Sequence, residues 1–206
     1  MPDARARVLS MVDDLRGNPN IEVISVEIGE PAPTAGLEAA RALAHGALPA
    51  GVEDFYTELN GFTLEWRHSV DEVSHGDLSD HGLINILPID EVFGDWHGVT
   101  WFSEDNDEEF RPVKPFDLFV PEACAAFIQP PGQPPAGTVA YHYFGEELID
   151  TGYSFEEYLA RLLAARGFWY WIQTLCADLH SEAVISFRRA MPLIFDDYDD
   201  QLFQPR

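Results

Sequence analysis

Cysteine and long apolar runs are both scarce in this sequence of 206 residues. Its only cysteines, Cys124 and Cys176, are typical of buried thiols in a reducing compartment rather than of a disulfide framework. No apolar run approaches the ~18 residues that a membrane-spanning helix needs, so the sequence predicts that this is not an integral membrane protein. Residues 1–20 hold neither a long apolar stretch nor a small-residue cleavage site, which predicts that there is no signal peptide. Together these absences predict a cytoplasmic protein.

Basic residues are also few. Lysine and arginine number 12 against 36 aspartate and glutamate residues, so the formal net charge is -24. Such a surface repels nucleic acids and anionic membranes, which disfavours direct binding to either, and it attracts basic proteins. Solubility or a high-salt habitat would explain the same excess.

What the sequence does contain is material for a core. Hydrophobic residues make up 46% of the chain and aromatic residues 13%, which is enough to exclude disorder over the whole length. The length fits one domain, or one domain with extensions. There is no P-loop, no GxGxxG and no GxSxG motif, so nothing in the sequence indicates an enzyme or a bound cofactor.

The first elements are predicted from local patterns. Ala4–Leu15 has apolar and charged residues at helical spacing, and Ile21–Ile28 is rich in β-branched residues, which predicts a helix followed by a strand. Thr34 is predicted to be the N-cap of a second helix.

A short third helix is marked at both ends. Pro49 has a φ that suits the first helical turn, and Asn60 with Gly61 supplies a C-terminal stop. The apolar face between them consists of Val52, Phe55, Tyr56 and Leu59, at helical spacing. The alternation in Phe62–Trp66 then predicts a half-buried strand.

Later segments interleave strands with helices irregularly, which favours an α+β fold over a regular βαβ series. A strand is predicted at Leu83–Ile89, with a short helical turn after it. Further strands are predicted at Gly98–Ser103, Phe116–Val120, Cys124–Gln129, Thr138–Phe144 and Leu148–Asp150. Ser154 and Glu157 form a capping box that begins a helix, and Gly167 predicts a break in it.

The polar segment from His68 to His81 raises the question of a metal. Imidazole and carboxylate side chains together suit zinc, iron or manganese, and His75 and His81 are the candidate ligands. Their spacing lacks the i, i+4 pattern of a helical HExxH site, so a solvated polar insertion explains the segment as well.

Two acidic segments are candidates for binding a basic partner. The first lies within residues 104–109; a solvated loop is the alternative there, and the segment lacks the alternation and central glycine of an EF-hand. The second lies near the C-terminus. The candidate residues are Glu104, Asp105, Asp107, Glu108, Glu109, Asp196, Asp197, Asp199 and Asp200.

Four consecutive aromatic residues, Phe168 to Trp171, follow the break at Gly167. On a helix their rings would point in all directions, so at least one should leave the main core. A helix packed between the sheet and the C-terminal tail is one interpretation. The other is an interaction surface, in which Trp169 and Trp171 are the candidate anchors.

The order of these motifs resembles the SUKH superfamily, the Smi–Knr-like proteins. The resemblance covers roughly residues 34–165. It rests on an LP-initiated helix with an inward aromatic and an Asn-Gly stop, on the strand with the short helix after it, and on the closing SFxxYL helix. The matching residues are Leu48, Pro49, Phe55, Asn60, Gly61, Leu83, Ile86, Leu87, Ser154, Phe155, Tyr158 and Leu159.

The resemblance implies a mainly antiparallel sheet packed by helices on one side. It divides the chain into an N-terminal extension (1–33), a SUKH-like domain (34–166), and an aromatic helix with an acidic tail (167–206). It further implies an immunity protein that neutralises a bacterial toxin domain, often a nuclease, by covering its basic surface. The alternatives are a scaffold or regulatory adaptor of the same fold, and a metal-dependent enzyme at the His68–His81 loop.

Overall fold

The computed structural model describes residues 3–68, 81–102, 108–177 and 181–206. In these ranges the chain forms one antiparallel sheet whose strands lie side by side in sequence order. The strands are β1 (Ile21–Ile28), β2 (Phe62–His68), β3 (His81–Ile86), β4 (Val113–Val120), β5 (Ala123–Ile128), β6 (Thr138–Tyr143) and β7 (Glu147–Ser154). Helices pack against this sheet, which confirms the predicted α+β class.

The described ranges hold six α-helices and two short 3₁₀ helices. The α-helices are α1 (Ala4–Gly17), α2 (Thr34–Leu43), α3 (Val52–Glu58), α4 (Ile89–Val92), α5 (Phe155–Ala165) and α6 (Glu182–Ile194). The 3₁₀ helices span Trp171–Leu175 and Asp200–Leu202. None of these helices combines the length and the apolarity that crossing a bilayer requires.

The predicted capping box at α5 is found, but α3 begins later than predicted, because Pro49 lies before the left-handed N-cap Gly51 and the first helical residue is Val52. Helix α3 ends at Glu58 with the extended Leu59 as its C-cap, and the predicted stop residues follow, of which Gly61 has a left-handed φ of 97°. At α5 the side chains and backbone groups of Ser154 and Glu157 form the predicted capping box. Helix α5 stops at Ala165, since the next two residues are left-handed, which confirms the break at Gly167.

The main core lies between α1, α3 and α5 and one face of the sheet, which we call the inner face. Its centre is a cluster of buried rings in edge-to-face and stacked contact: Phe55, Phe116, Phe127, Phe155 and Tyr158. Phe187 and Phe203 from the C-terminal segment belong to the same core. Residues from all three predicted segments of the chain therefore contribute to one hydrophobic cluster.

Three further local predictions are wrong. Thr34 is the first residue of α2 rather than its cap, because the extended Pro33 takes the cap position. Residues 98–102 make only an isolated bridge between His97 and Trp101 instead of a strand. The aromatic residues 168–171 do not form an α-helix, because the left-handed Gly167 and Tyr170 turn the chain before a 3₁₀ helix. Helix α6 was not predicted.

Candidate functional site

The predicted acidic segment at 104–109 is described only in part. Glu104, Asp105 and Asp107 lie outside the described residues, and Glu108 and Glu109 are exposed. The structure therefore leaves their role in partner binding as a prediction.

The predicted acidic tail is largely occupied by contacts within the chain. Asp197 accepts two hydrogen bonds from Arg166 Nη2, at 2.9 and 2.7 Å. Asp199 accepts from the backbone N–H of Gln201 at 3.0 Å. Asp200 accepts from the Tyr198 hydroxyl and the Gln204 amide, each at 2.8 Å. These acids hold the tail in place, while Asp196 is exposed.

The two predicted tryptophan anchors differ in exposure. Trp171 is 2% exposed and its ring contacts Tyr158 and Phe203, which is inconsistent with a role at the surface. Trp169 is half-buried, with its ring 5.7 Å from His81 and 4.6 Å from Tyr170.

The metal hypothesis falls mostly on residues that the structure does not describe, including His75. His68 is buried at the end of β2, and His81 lies at the start of β3 beside Trp169. In the ranges described, no group of three or more histidine, cysteine, aspartate or glutamate side chains could hold a metal ion.

The cysteines are buried free thiols, as predicted. Burial raises the pKa of Cys176 to about 12, and burial with the nearby Asp117 charge raises the pKa of Cys124 well above its ordinary value. Both thiols are therefore protonated at neutral pH and are poor nucleophiles.

The outer face of the sheet, opposite the main core, is divided into two halves. Over β4–β6, a second apolar cluster covers it: Trp101, Phe110, Val113, Cys124 and Ala126, with Ala126 fully buried. We call this the covered half.

The outer face of β1–β3 is the open half. Here β2 alternates buried residues with exposed or half-buried ones. Three rows of outward residues cross the strands: Glu27, Thr63 and Asn85; Ser25, Glu65 and Leu83; and Glu22, Arg67 and His81. This alternation is what a sheet with one solvent-facing side requires.

The two halves meet at a seam between β3 and β4, where the ladder is sparse. Ile86 opposite Asp117 is the one register pair between these strands. Further along β3, residues 167–169 take the place of β4: Leu83 N donates to Gly167 O at 2.7 Å and Trp169 N to His81 O at 3.0 Å. The Trp66 indole also donates to Arg166 O at 2.6 Å. Residues 167–169, at the start of the aromatic segment (Phe168 to Trp171), are thus hydrogen-bonded along β3 as a neighbouring strand would be.

A buried carboxylate bridges the seam. Asp117 accepts from the backbone N–H of Asn85 at 2.9 Å and from the Tyr158 hydroxyl at 2.8 Å. The Asn85 amide donates in turn to Leu118 O at 3.1 Å. Burial raises the pKa of Asp117 to about 6, although both hydrogen bonds lower it. Asp117 is fully buried, so this network joins the strands and has no access to a substrate.

A groove of about 530 Å³ opens on the outer face above the seam. Its lining is mainly apolar and includes Leu83, Val99, Leu118, Pro121 and Phe144. Val99 is 39% exposed, so part of this surface meets solvent. Such a groove can take apolar side chains of a partner.

Carboxylates stand beside the groove. Glu65 belongs to its lining, and Glu27 lies one row away on the same face. Glu22 is paired with Arg67 at 2.6 Å, whereas Glu27 and Glu65 have no ion pair in the described part of the chain. We call Glu27 and Glu65 the acidic rim. The alternation in β1 and β2 could have located them, but the groove depends on the seam, which no local pattern reveals.

Comparison with known proteins adds no family assignment: no protein-family model matches this sequence, and no curated protein is significantly similar to it.

Proposed function

We propose that this protein is a non-enzymatic binding protein of the SUKH type, which acts in the cytoplasm as an immunity protein against a basic toxin domain. The observation that carries the proposal is the groove at the seam with the acidic rim beside it, on a chain of net charge -24. The motif resemblance and the α+β sheet packed by helices support it.

The groove and the acidic rim supply the two components that a protein interface needs. Apolar side chains in the groove, such as Leu118 and Phe144, can be desolvated by a partner and provide affinity. The acidic rim attracts a basic surface, which speeds association and disfavours partners of like charge. The same residues would cover a cationic cleft on the toxin and block its access to nucleic acid.

The test is capture of partners from the native lysate on the immobilised protein, at low and at high salt, with mass-spectrometric identification. We expect a stoichiometric basic partner that carries a toxin domain, and we expect its retention to fall strongly at high salt because screening weakens the charge attraction. The partner's activity should then be inhibited at a one-to-one ratio by the purified protein.

Two results would contradict the proposal. Partners that all lack a toxin domain would favour a scaffold or regulatory adaptor. A captured toxin that remains fully active when saturated with this protein would exclude neutralisation by occlusion.

A further inference from the structure

A second cavity, of about 570 Å³, lies at the end of the sheet where β4 begins and β5 ends. The segment after α2 and the segment after α4 form its other walls. It shares no lining residue with the groove at the seam. Both Lys114 and Arg111 line it, together with Gln129, Trp101 and Asp95.

Two cations in one cavity with no ion-pair partner among the described residues are unexpected in a chain with this acidic excess. At least seven arginines lie within 4.0 Å of a carboxylate oxygen. Neither Lys114 nor Arg111 has such a partner among the described residues, and Lys114 is the only lysine in the sequence.

Both cations are held in position by neutral groups. Lys114 Nζ donates to Gly94 O at 2.7 Å, which leaves its other N–H groups free to donate. The Arg111 guanidinium lies over the Trp101 ring, 5.1 Å from its centroid. Burial lowers the pKa of Lys114, Asp95 opposes that shift, and Arg111 adds to it, so the two positive charges repel each other. An anion between them would relieve this repulsion.

Gln129 provides an independent indication that this cavity binds a ligand. It is 6% exposed, and its Nε2 donates to Leu43 O at 2.8 Å. Its Oε1 is buried and accepts no hydrogen bond from any residue that the structure describes. Leaving a buried acceptor without a donor is unfavourable, so a ligand that brings a hydroxyl or N–H group would be favoured here.

We infer that this cavity binds a phosphate group, which Lys114 and Arg111 hold by charge-assisted hydrogen bonds and Gln129 Oε1 holds by accepting from a ligand hydroxyl. A phosphate near neutral pH carries both negative charge and an O–H donor, whereas a simple carboxylate carries only the charge. The cavity volume leaves room for a small organic group on the phosphate as well.

The single lysine makes the test direct. In tag-free protein labelled with ¹³C- and ¹⁵N-lysine, the side-chain NMR signals report on Lys114 alone. Inorganic phosphate is added at constant ionic strength, and we expect a saturable shift of the Lys114 signals. Glycerol 3-phosphate is the second probe, and it distinguishes two possible ligands. Tighter binding than that of inorganic phosphate would indicate that the natural ligand is a phosphomonoester, and equal binding would indicate free phosphate.

Matched variants identify the contact. Arg111→Gln should weaken phosphate binding by about tenfold or more, since hydrogen bonds between charged groups are worth at least ~1.5 kcal/mol. Arg189→Gln makes the same charge change at an exposed position of α6 and should leave binding within about twofold. Circular dichroism confirms that both variants fold.

Three results would overturn the inference. A shift that does not saturate, or one that persists unchanged in Arg111→Gln, would mean non-specific screening. The third result concerns succinate, which has two carboxylates and no hydroxyl. If succinate binds as tightly as phosphate, the role assigned to Gln129 is refuted.

Discussion

The covered and open halves of the outer face belong to the same sheet but are built from different side chains. In β5 the outward Cys124 and Ala126 are small, which lets the rings of Trp101 and Phe110 pack over them. In β2 the outward Thr63, Glu65 and Arg67 keep polar groups at the surface. The difference shows that one sheet can bury both faces on one side of a seam and leave one face at the surface on the other side.

The seam between the halves explains why the groove exists. Because the ladder from β3 to β4 is reduced to one register pair, the strands separate and residues 167–169 fill part of the gap. Side-chain bonds of Asp117 and Asn85 replace the missing backbone bonds. The groove is thus a consequence of the seam, whereas the acidic rim consists of outward residues of the open half.

The largest predicted effect comes from placing the same charged residue on each half. Ala126→Lys should reduce the free energy of unfolding by more than about 4 kcal/mol, because it overfills the covered half and buries an unpaired charge. Thr63→Lys, in the open half opposite Glu27, should change it by less than about 0.5 kcal/mol. Urea unfolding of both variants measures these changes in unfolding free energy. Similar decreases in the two variants would mean that the two halves do not differ in burial.

The seam itself should be nearly as sensitive. A Cβ atom at Gly82 would lie 2.2 Å from Trp66 Nε1 and 2.8 Å from Arg166 O. Gly82→Ala should therefore cost about 3 kcal/mol of unfolding free energy, since strand β3 would be pushed away from the aromatic segment. Gly137→Ala is the control, because nothing lies within 4 Å of its Cβ position. A tolerated Gly82→Ala would contradict the close approach.

The buried carboxylate of Asp117 makes the stability of the protein depend on pH, an effect smaller than those of the two substitutions above. The pKa of Asp117 is about 6 in the folded chain against 3.8 for the ordinary group, so between these values the folded state holds a proton that the unfolded state releases. Stability should therefore fall as pH rises from about 4 to about 6, by on the order of 2 kcal/mol.

Asp117→Asn isolates this contribution, because all other carboxylates are unchanged. The difference in unfolding free energy between the wild type and this variant should follow that slope across the same pH range. A difference that is flat with pH would show that Asp117 is not the titrating group.

Local signals predicted much of the fold because they act within a few residues. The capping box at Ser154 depends only on neighbouring groups and is found in the structure, whereas Asn60 after α3 also bonds to Glu30 and Ile89, which are distant in sequence. The prediction of an α-helix over the aromatic residues 168–171 was wrong for the opposite reason. Its conformation is set by bonds to β3, which is distant in sequence, and the left-handed Tyr170 is not a residue type that favours such a turn.

The candidate site was predictable only in its charge. Composition indicated a basic partner, but the tail acids chosen for it are bound to Arg166, Tyr198 and other residues of the chain. Glu27 and Glu65 were not singled out, because their position beside the groove follows from strand register and from the seam.

The most direct measurement compares two double charge reversals in binding the captured partner by titration calorimetry. Glu27→Lys with Glu65→Lys alters the acidic rim, and Asp14→Lys with Glu38→Lys makes the same change in net charge on exposed positions of α1 and α2. We predict that the rim variant weakens binding by about tenfold or more and that the control stays within about threefold. Equal weakening by both variants would contradict the account, because net charge rather than the open half would then determine binding.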